Sequence, residues 1–285
     1  MNHRGVGLRR LAYVGARYGP QAWVRYSPAL FGIAFALALP RERLAVRKNL
    51  RLLKGKQGAI AERVDVARTF VSYAHCLAES LAVERPDVQG VSPVISGREH
   101  FDDIVSRGRG GIVVTAHTGA WDLIARWLSH EHSVDVLVVM QGEPNEDARA
   151  LHDGVRVRSG LRVAHVGRHP LDALPLLSHL RRRGVVAVQL DRIGGAEASV
   201  AVDVGGEPFL VPEGPFRLAS LCGAPVVPVF ARRLGYFRYE VVIRPPIELP
   251  RTADAAAIRA AAERATEEMT TFLRQNPTQW FHFSS

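Results

Sequence analysis

The sequence predicts an α/β domain: a mixed, largely parallel sheet flanked by helices, with a helical layer at its N-terminal end. Three observations predict it. After Pro86 and Pro93, short runs rich in β-branched residues alternate with stretches of helical periodicity, as strands do when their crossovers cover both faces of a parallel sheet. Two late runs joined through Gly235 read as a hairpin and add an antiparallel element. Before Pro86, apolar residues recur at three- and four-residue steps, the signature of a helix with one buried face.

Taken in order, residues 1 to ~50 carry many arginines and aromatics around "SPALFGIAFALALP", whose apolar run has about eleven residues between Pro28 and Pro40. A spanning helix needs roughly 18. The segment therefore predicts a short helix that is buried or lies in the membrane interface. Trp23 and Tyr26 beside Arg17 and Arg25 suit the headgroup region, where amphipathic rings and snorkelling cations are both stable. Ala36-Leu37-Ala38 has the form of a signal cleavage site, but the long aromatic-bearing stretch before it argues against secretion.

The next segment, "AIAERVDVARTFVSYAHCLAESLAVE", places Ile60, Val64, Ala67, Val71, Ala74 and Leu81 on one face of an amphipathic helix. His75 lies beside that stripe and reads as a packing residue. Strands are expected over 112–115, 134–139, 162–166, 185–190, 200–204, 226–230 and 237–243. Helices are expected over 98–107, 121–130, 145–159, 171–183 and 254–274; the last carries Ile258, Ala261, Ala265, Met269 and Phe272 at helical spacing. No repeat or low-complexity linker interrupts the chain. It reads as one domain, with 1–90 an N-terminal helical, membrane-interface segment packed on an α/β core over 91–285.

Composition narrows the function classes. The chain has 285 residues, 47% of them apolar, so a large core is available; its formal charge of +9 favours anionic partners such as lipid headgroups or an acidic protein. Nucleic acid ranks last, because the aromatics are not interleaved with basic residues on a strand face. Cys76 and Cys222 stand far apart in no ligand spacing, and His130 and His132 gather no further ligands, so neither a disulfide framework nor a metal site is expected. "GRGG" at 108–111 precedes its strand, whereas a dinucleotide fingerprint must follow one.

The chemistry concentrates at strand ends. "GGIVVTAHTGAWDLIARWL" ends a strand, delivers His117, turns at Gly119 and places Asp122 as a helix begins, with Trp121 able to pack beneath the turn. A histidine held by a carboxylate can take a proton from a hydroxyl near neutral pH, and open α/β sheets bind ligands at this carboxyl edge. No Gly-x-Ser-x-Gly elbow or nearby cysteine supplies a nucleophile, so the substrate's own hydroxyl is the group to activate. Asp191 and Arg192 follow another strand. Glu207, Glu213, Gly214 and Arg217 then surround a Gly/Pro-rich approach to a helix whose first turn, opened by Pro215, leaves N–H groups free for an anion.

"GREHFDDIVSRGRGGIVVTAHTGAWDL" resembles the His-x4-Asp/Glu block of the glycerolipid and lipid A acyltransferases. "VDVGGEPFLVPEGPFRLASLCGAPVVPVFARR" is similar to their later acceptor-side block, and "NPTQWFHF" to the Pro-x-Gln-Trp ending of the lauroyl/myristoyl branch. "RERLAVRKNLRLL" resembles the segment after that branch's anchoring helix, and "LDR" with "GGEPFLVPEGP" is similar to the phosphatidylinositol mannoside acyltransferases of the same superfamily. The matches extend from about Arg41 to Phe283. Where the lipid A branch reads Asn-Trp-Glu, this chain holds Ala120, Trp121 and Asp122: the carboxylate is kept on a shorter arm, and the missing amide argues against a lipid A acceptor.

The resemblance implies a glycerolipid acyltransferase-like fold and a membrane-associated O-acyltransferase. In it His117 deprotonates an acceptor hydroxyl and Asp122 orients His117. Acyl carrier protein or coenzyme A donates the acyl group as a thioester, and a lipid or glycolipid accepts it. Gly119, Trp121, Asp191, Arg192, Glu207, Glu213, Gly214 and Arg217 are implied on the substrate side, with Arg192 or backbone donors facing the oxyanion. No metal or organic cofactor is implied, and peripheral attachment at the cytoplasmic face of the inner membrane is the expectation. A lipid hydrolase using the same His/Asp pair and a non-catalytic lipid-binding protein are the alternatives.

Overall fold

The computed structural model describes residues 13–83, 85, 88, 91, 93–131, 133–141, 162–166, 170–193 and 198–284. A helical stretch over residues 13–18 is followed by three helices, α1 (Gln21–Ala38), α2 (Pro40–Lys54) and α3 (Ala59–Ala82). The alternating part follows as β1 (Val94–Ser96), α4 (Arg98–Arg107), β2 (Gly111–Thr115), α5 (Trp121–Glu131), β3 (Val136–Gln141) and β4 (Arg162–Val166). It continues with a 3-10 turn (Pro170–Ala173), α6 (Leu174–Arg181), β5 (Val185–Gln189), β6 (Ser199–Val204) and β7 (Glu207–Pro212). The chain ends with α7 (Gly214–Cys222), β8 (Val226–Gly235), β9 (Arg238–Ile243), α8 (Ala255–Gln275) and a second 3-10 turn, Pro277–Gln279.

Seven strands form one sheet in the order β1-β9-β8-β2-β5-β3-β4. The ladders among β8, β2, β5, β3 and β4 are parallel; β9 joins β8 antiparallel and carries β1 at the edge. The sheet is thus mixed and largely parallel, as its sequence pattern predicts. The expected strand over 200–204 lies elsewhere: it forms, as β6, a separate antiparallel hairpin with β7, packed on α8. β1 escapes the sequence pattern because three residues between Pro93 and Gly97 are too few to show alternation. The helix expected over 145–159 lies outside the described residues, as does His132.

The central strands read as unbroken apolar runs because both faces are covered. Ile112, Val114 and Val186 face a core completed by Phe216, Phe230, Met269 and Phe272, while Val113, Val227 and Val229 face another built on Phe101, Leu123, Ile124 and Tyr239. α8 starts where Asp254 caps it by accepting from Ala257 N, and its buried stripe holds Ile258, Ala261, Ala265, Met269 and Phe272.

The leading layer differs from expectation in extent. α1 is 18 residues long and runs through Pro28, and Pro40 then opens α2 at its first turn, where a missing N–H costs nothing. α1 packs closely on α3: a Cβ on Gly32 would sit 2.6 Å from Val71 Cα, so only glycine permits this approach. The opposite face of α1 exposes Trp23, Tyr26, Leu30, Phe31, Ile33 and Leu37. Among the described residues no single helix is long and apolar enough to cross a membrane, and α1 and α2 meet at 98°.

Candidate active site

β2 and β5 are parallel neighbours, with Thr115 opposite Gln189. Both chains then leave the sheet in step. Leu190 N donates to Thr115 O at 2.8 Å, and His117 comes to stand beside Asp191 at the carboxyl edge. His117 Nδ1 and Asp191 Oδ1 are 2.8 Å apart, and the His117 backbone N–H donates to Asp191 Oδ2 at 2.9 Å. The Trp280 indole N–H donates to the same Oδ2 at 2.8 Å.

These three bonds explain how a carboxylate survives where Asp191 is 1% exposed. An unpaired buried carboxylate would cost several kcal/mol. Burial alone pushes the Asp191 carboxyl up, but the neighbouring His117 ring and its hydrogen bonds outweigh this and hold it well below the usual carboxylate range. A neutral His117 ring that donates from Nδ1 to the Asp191 carboxylate presents its lone pair at Nε2, on a side chain that remains 16% exposed. A base in this state can accept a hydroxyl proton while Asp191 stabilises the imidazolium that results.

The turn after His117 is fixed from both sides. Gly119 has φ +55°, and a Cβ there would stand 2.8 Å from Ala231 O, so the local backbone requires glycine. Across from it, Thr118 pairs with Trp280 in an antiparallel bridge and Phe281 N donates to His117 O at 2.7 Å. The C-terminal segment therefore straps the His117 turn directly.

Asp122 occupies a different position from the one its spacing implies. Its Oδ1 accepts from Leu123 N at 3.0 Å and from Ser80 Oγ at 2.8 Å, which anchors the first turn of α5 to α3. The ring nitrogen that a supporting carboxylate would hold is met by Asp191 instead. The i,i+5 spacing brings Asp122 close in sequence, but a helix start turns its side chain into its own N-terminal N–H groups. Trp121 is partly buried against the core beneath the turn.

The remaining candidates lie in three places. Arg192 is exposed at the rim beside Asp191, within electrostatic reach of His282. Glu213 and Arg217 pair with one another at 2.7 Å across the first turn of α7, and Gly214 faces open space. Glu207 is exposed at the start of β7, beside the Gly205-Gly206 turn. Phe209 of the same strand reaches the rim, packing on Trp280 and His282 at ring separations of 6.2 and 6.3 Å.

Sequence reasoning missed Trp280 and His282. His282 stacks on Trp280 at 5.5 Å, and its carbonyl accepts from Asn49 Nδ2 of α2 at 2.7 Å. Burial pushes its imidazole down, only partly countered by Asp191. The signal was present in "NPTQWFHF": a buried indole N–H needs an acceptor.

The family model described as bacterial lipid A biosynthesis acyltransferase matches residues 11–285. The chain belongs to this family. It is an acyltransferase whose family acts on lipid or glycolipid acceptors. Among its relatives, the phosphatidylinositol mannoside acyltransferase of Mycobacterium tuberculosis is 26% identical over 246 residues, 82% of this chain and 74% of that protein. The enzyme of that name from Mycolicibacterium smegmatis is 23% identical over 240 residues, covering 82% and 76%. A solved structure of the 1-acyl-sn-glycerophosphate acyltransferase PlsC from Thermotoga maritima aligns with 12% identity and a TM-score of 0.42, over 96% of this chain and 99% of that one.

Proposed function

We propose that this acyltransferase works at a membrane surface, moving a fatty acyl group from an acyl thioester, on acyl carrier protein or coenzyme A, to a hydroxyl of a glycolipid or lipid. The His117–Asp191 contact at the carboxyl edge of the sheet carries the reading. The acceptor hydroxyl gives its proton to His117 Nε2 as its oxygen attacks the thioester carbonyl. The tetrahedral intermediate then collapses, the C–S bond breaks, and the leaving thiolate takes the proton back from the imidazolium. Asp191 orients the ring and balances its charge throughout. Asp122 holds the turn that presents His117.

Two further observations favour this reading. The mycobacterial relatives carry the name of phosphatidylinositol mannoside acyltransferases, and this chain lacks the Asn of the lipid A branch, so a mannosylated phosphoinositide fits better than lipid A as the acceptor. The exposed apolar face of α1, followed on α2 by exposed Arg41, Leu44, Lys48 and Arg51, suits peripheral attachment to an anionic bilayer, at the cytoplasmic face where acyl thioesters are made.

The test is transfer from labelled acyl carrier protein and acyl-CoA into mannosylated phosphoinositides, lysophospholipids and a total lipid extract. New ester in a lipid, lost at least ~100-fold in His117→Ala, is the expected result. Free fatty acid without an acylated lipid would instead identify a hydrolase, and equal transfer by His117→Ala would remove His117 as the base.

A further inference from the structure

The C-terminal segment does more than close the fold, as the partners of its polar side chains show. Gln279 pairs its side-chain amide with one residue's backbone, accepting from Arg233 N at 2.7 Å and donating to Arg233 O at 2.9 Å. Asn276 Oδ1 accepts from Arg232 at 3.0 Å. These contacts fix the segment to β8 just before Trp280, which is 2% exposed. Trp280 then forms its bridge with Thr118, and its indole N–H reaches Asp191 Oδ2. Gln279 sets the register, and Trp280 uses it.

Asp191 has two oxygens and three donors, and the division of labour between them is informative. Oδ1 serves the His117 ring alone, whereas Oδ2 takes the His117 backbone N–H and the indole N–H. A carboxylate held by one oxygen from two directions cannot rotate about its Cβ–Cγ bond without losing both bonds. Oδ1 is thereby kept in line with Nδ1. We propose that Trp280 is a positioning residue for the acyl transfer: its indole N–H locks the Asp191 carboxylate in the orientation that holds His117, and it shares the carboxylate's charge. This rests on the His117–Asp191 reading above.

The sign of the effect follows from that sharing. Removing the indole donor leaves Asp191 with more uncompensated charge facing the ring, which favours the imidazolium. Among the described residues, the other titratable or charged groups facing the pair are His282, on the same segment, and Arg192 just past β5; neither is altered in the variant below.

The experiment is Trp280→Phe, which keeps an aromatic ring and deletes the donor. Expected is a fall in kcat of about tenfold with KM for the acceptor within about twofold, and an acid limb of kcat/KM moved upward by about half a pH unit. Phe209→Leu, which thins the packing on Trp280 but leaves its donor, should leave that limb in place. An unmoved limb and near-normal kcat in Trp280→Phe would reduce Trp280 to packing and overturn the proposal. Should Trp280→Phe not fold, the wild-type protein decides: its four tryptophans give four indole N–H resonances, and the assigned Trp280 signal should titrate with the kinetic acid limb. A pH-independent signal overturns the proposal. Loss of activity in His117→Ala and Asp191→Asn with an unaffected Trp280→Phe would fail Trp280 alone, whereas full activity in those two would fail the pair and the proposal with it.

Discussion

Ser80 Oγ and Asp122 Oδ1 stand 2.8 Å apart, and their bond draws α3 against the first turn of α5. It makes Asp122 an anchor of the turn that carries His117, while Asp191 meets the imidazole.

Those two positions predict a ranking. Asp191→Asn removes the charge that stabilises the imidazolium and should lower kcat about 100-fold or more. Asp122→Asn keeps an oxygen that can accept from Ser80 and Leu123, and should cost no more than about tenfold. Steady-state kinetics on both variants decides the assignment; the reverse order would return the supporting role to Asp122.

Gly119→Ala should be damaging out of proportion to one methyl group. The left-handed φ costs on the order of 1–2 kcal/mol for alanine, and the contact with Ala231 O forces the backbone to shift. A lowered Tm together with a larger loss of kcat than of stability is expected, because the shift moves the residue just after His117.

Beneath the turn, Glu79 is fully buried and accepts from Tyr239 OH at 2.5 Å and from Arg233 at 2.7 and 2.8 Å. Arg233→Leu should destabilise by ~3–5 kcal/mol by stranding that carboxylate, and adding Glu79→Gln should recover part of the loss. Denaturant melts of the two single variants and the double variant test the coupling.

Between α2 and α3, Arg51 and Arg47 hold the Glu62 carboxyl down at about 2 despite its desolvation. A carboxyl lowered on folding contributes stability above its unfolded pKa and loses it as pH falls through the folded value. The Tm difference between wild type and Glu62→Gln should therefore be constant above about pH 5 and shrink toward pH 2. A difference independent of pH would show that the pair contributes nothing.

Charging the exposed face of α1 addresses membrane attachment. Leu30→Asp with Leu37→Asp should reduce co-sedimentation with anionic vesicles by about tenfold or more, and leave the melting temperature nearly unchanged because both side chains are exposed.

How far the sequence reads is visible in particular residues. The central strands and α8 were legible because continuous apolar runs and a 3.6-residue stripe are local signals. His117 was legible because it ends such a run. Asp191 was visible at its own strand end, yet its partner was not: β2 and β5 are neighbours only through a crossover order that no local pattern encodes. The nearer carboxylate, Asp122, took its place on spacing and on the resemblance of the His-x4-Asp block. Trp280 was hidden for the same reason, lying 89 residues from the carboxylate it holds. β7 went unread because Pro208 and Pro212 disguise a two-stranded ribbon as a loop.

The matched exit of β2 and β5 also sets what this protein can tolerate in its own future. Only the parts of the crossovers well beyond His117 and Asp191 can lengthen or shorten freely, since each of the two sits two residues past the end of its strand. A single residue added to or removed from either strand would turn one of the two to the opposite face of the sheet, since side chains alternate. Insertion scanning should find two five-residue strands that accept no change in count, so under the proposed mechanism the ladder register is constrained as tightly as the His117 side chain.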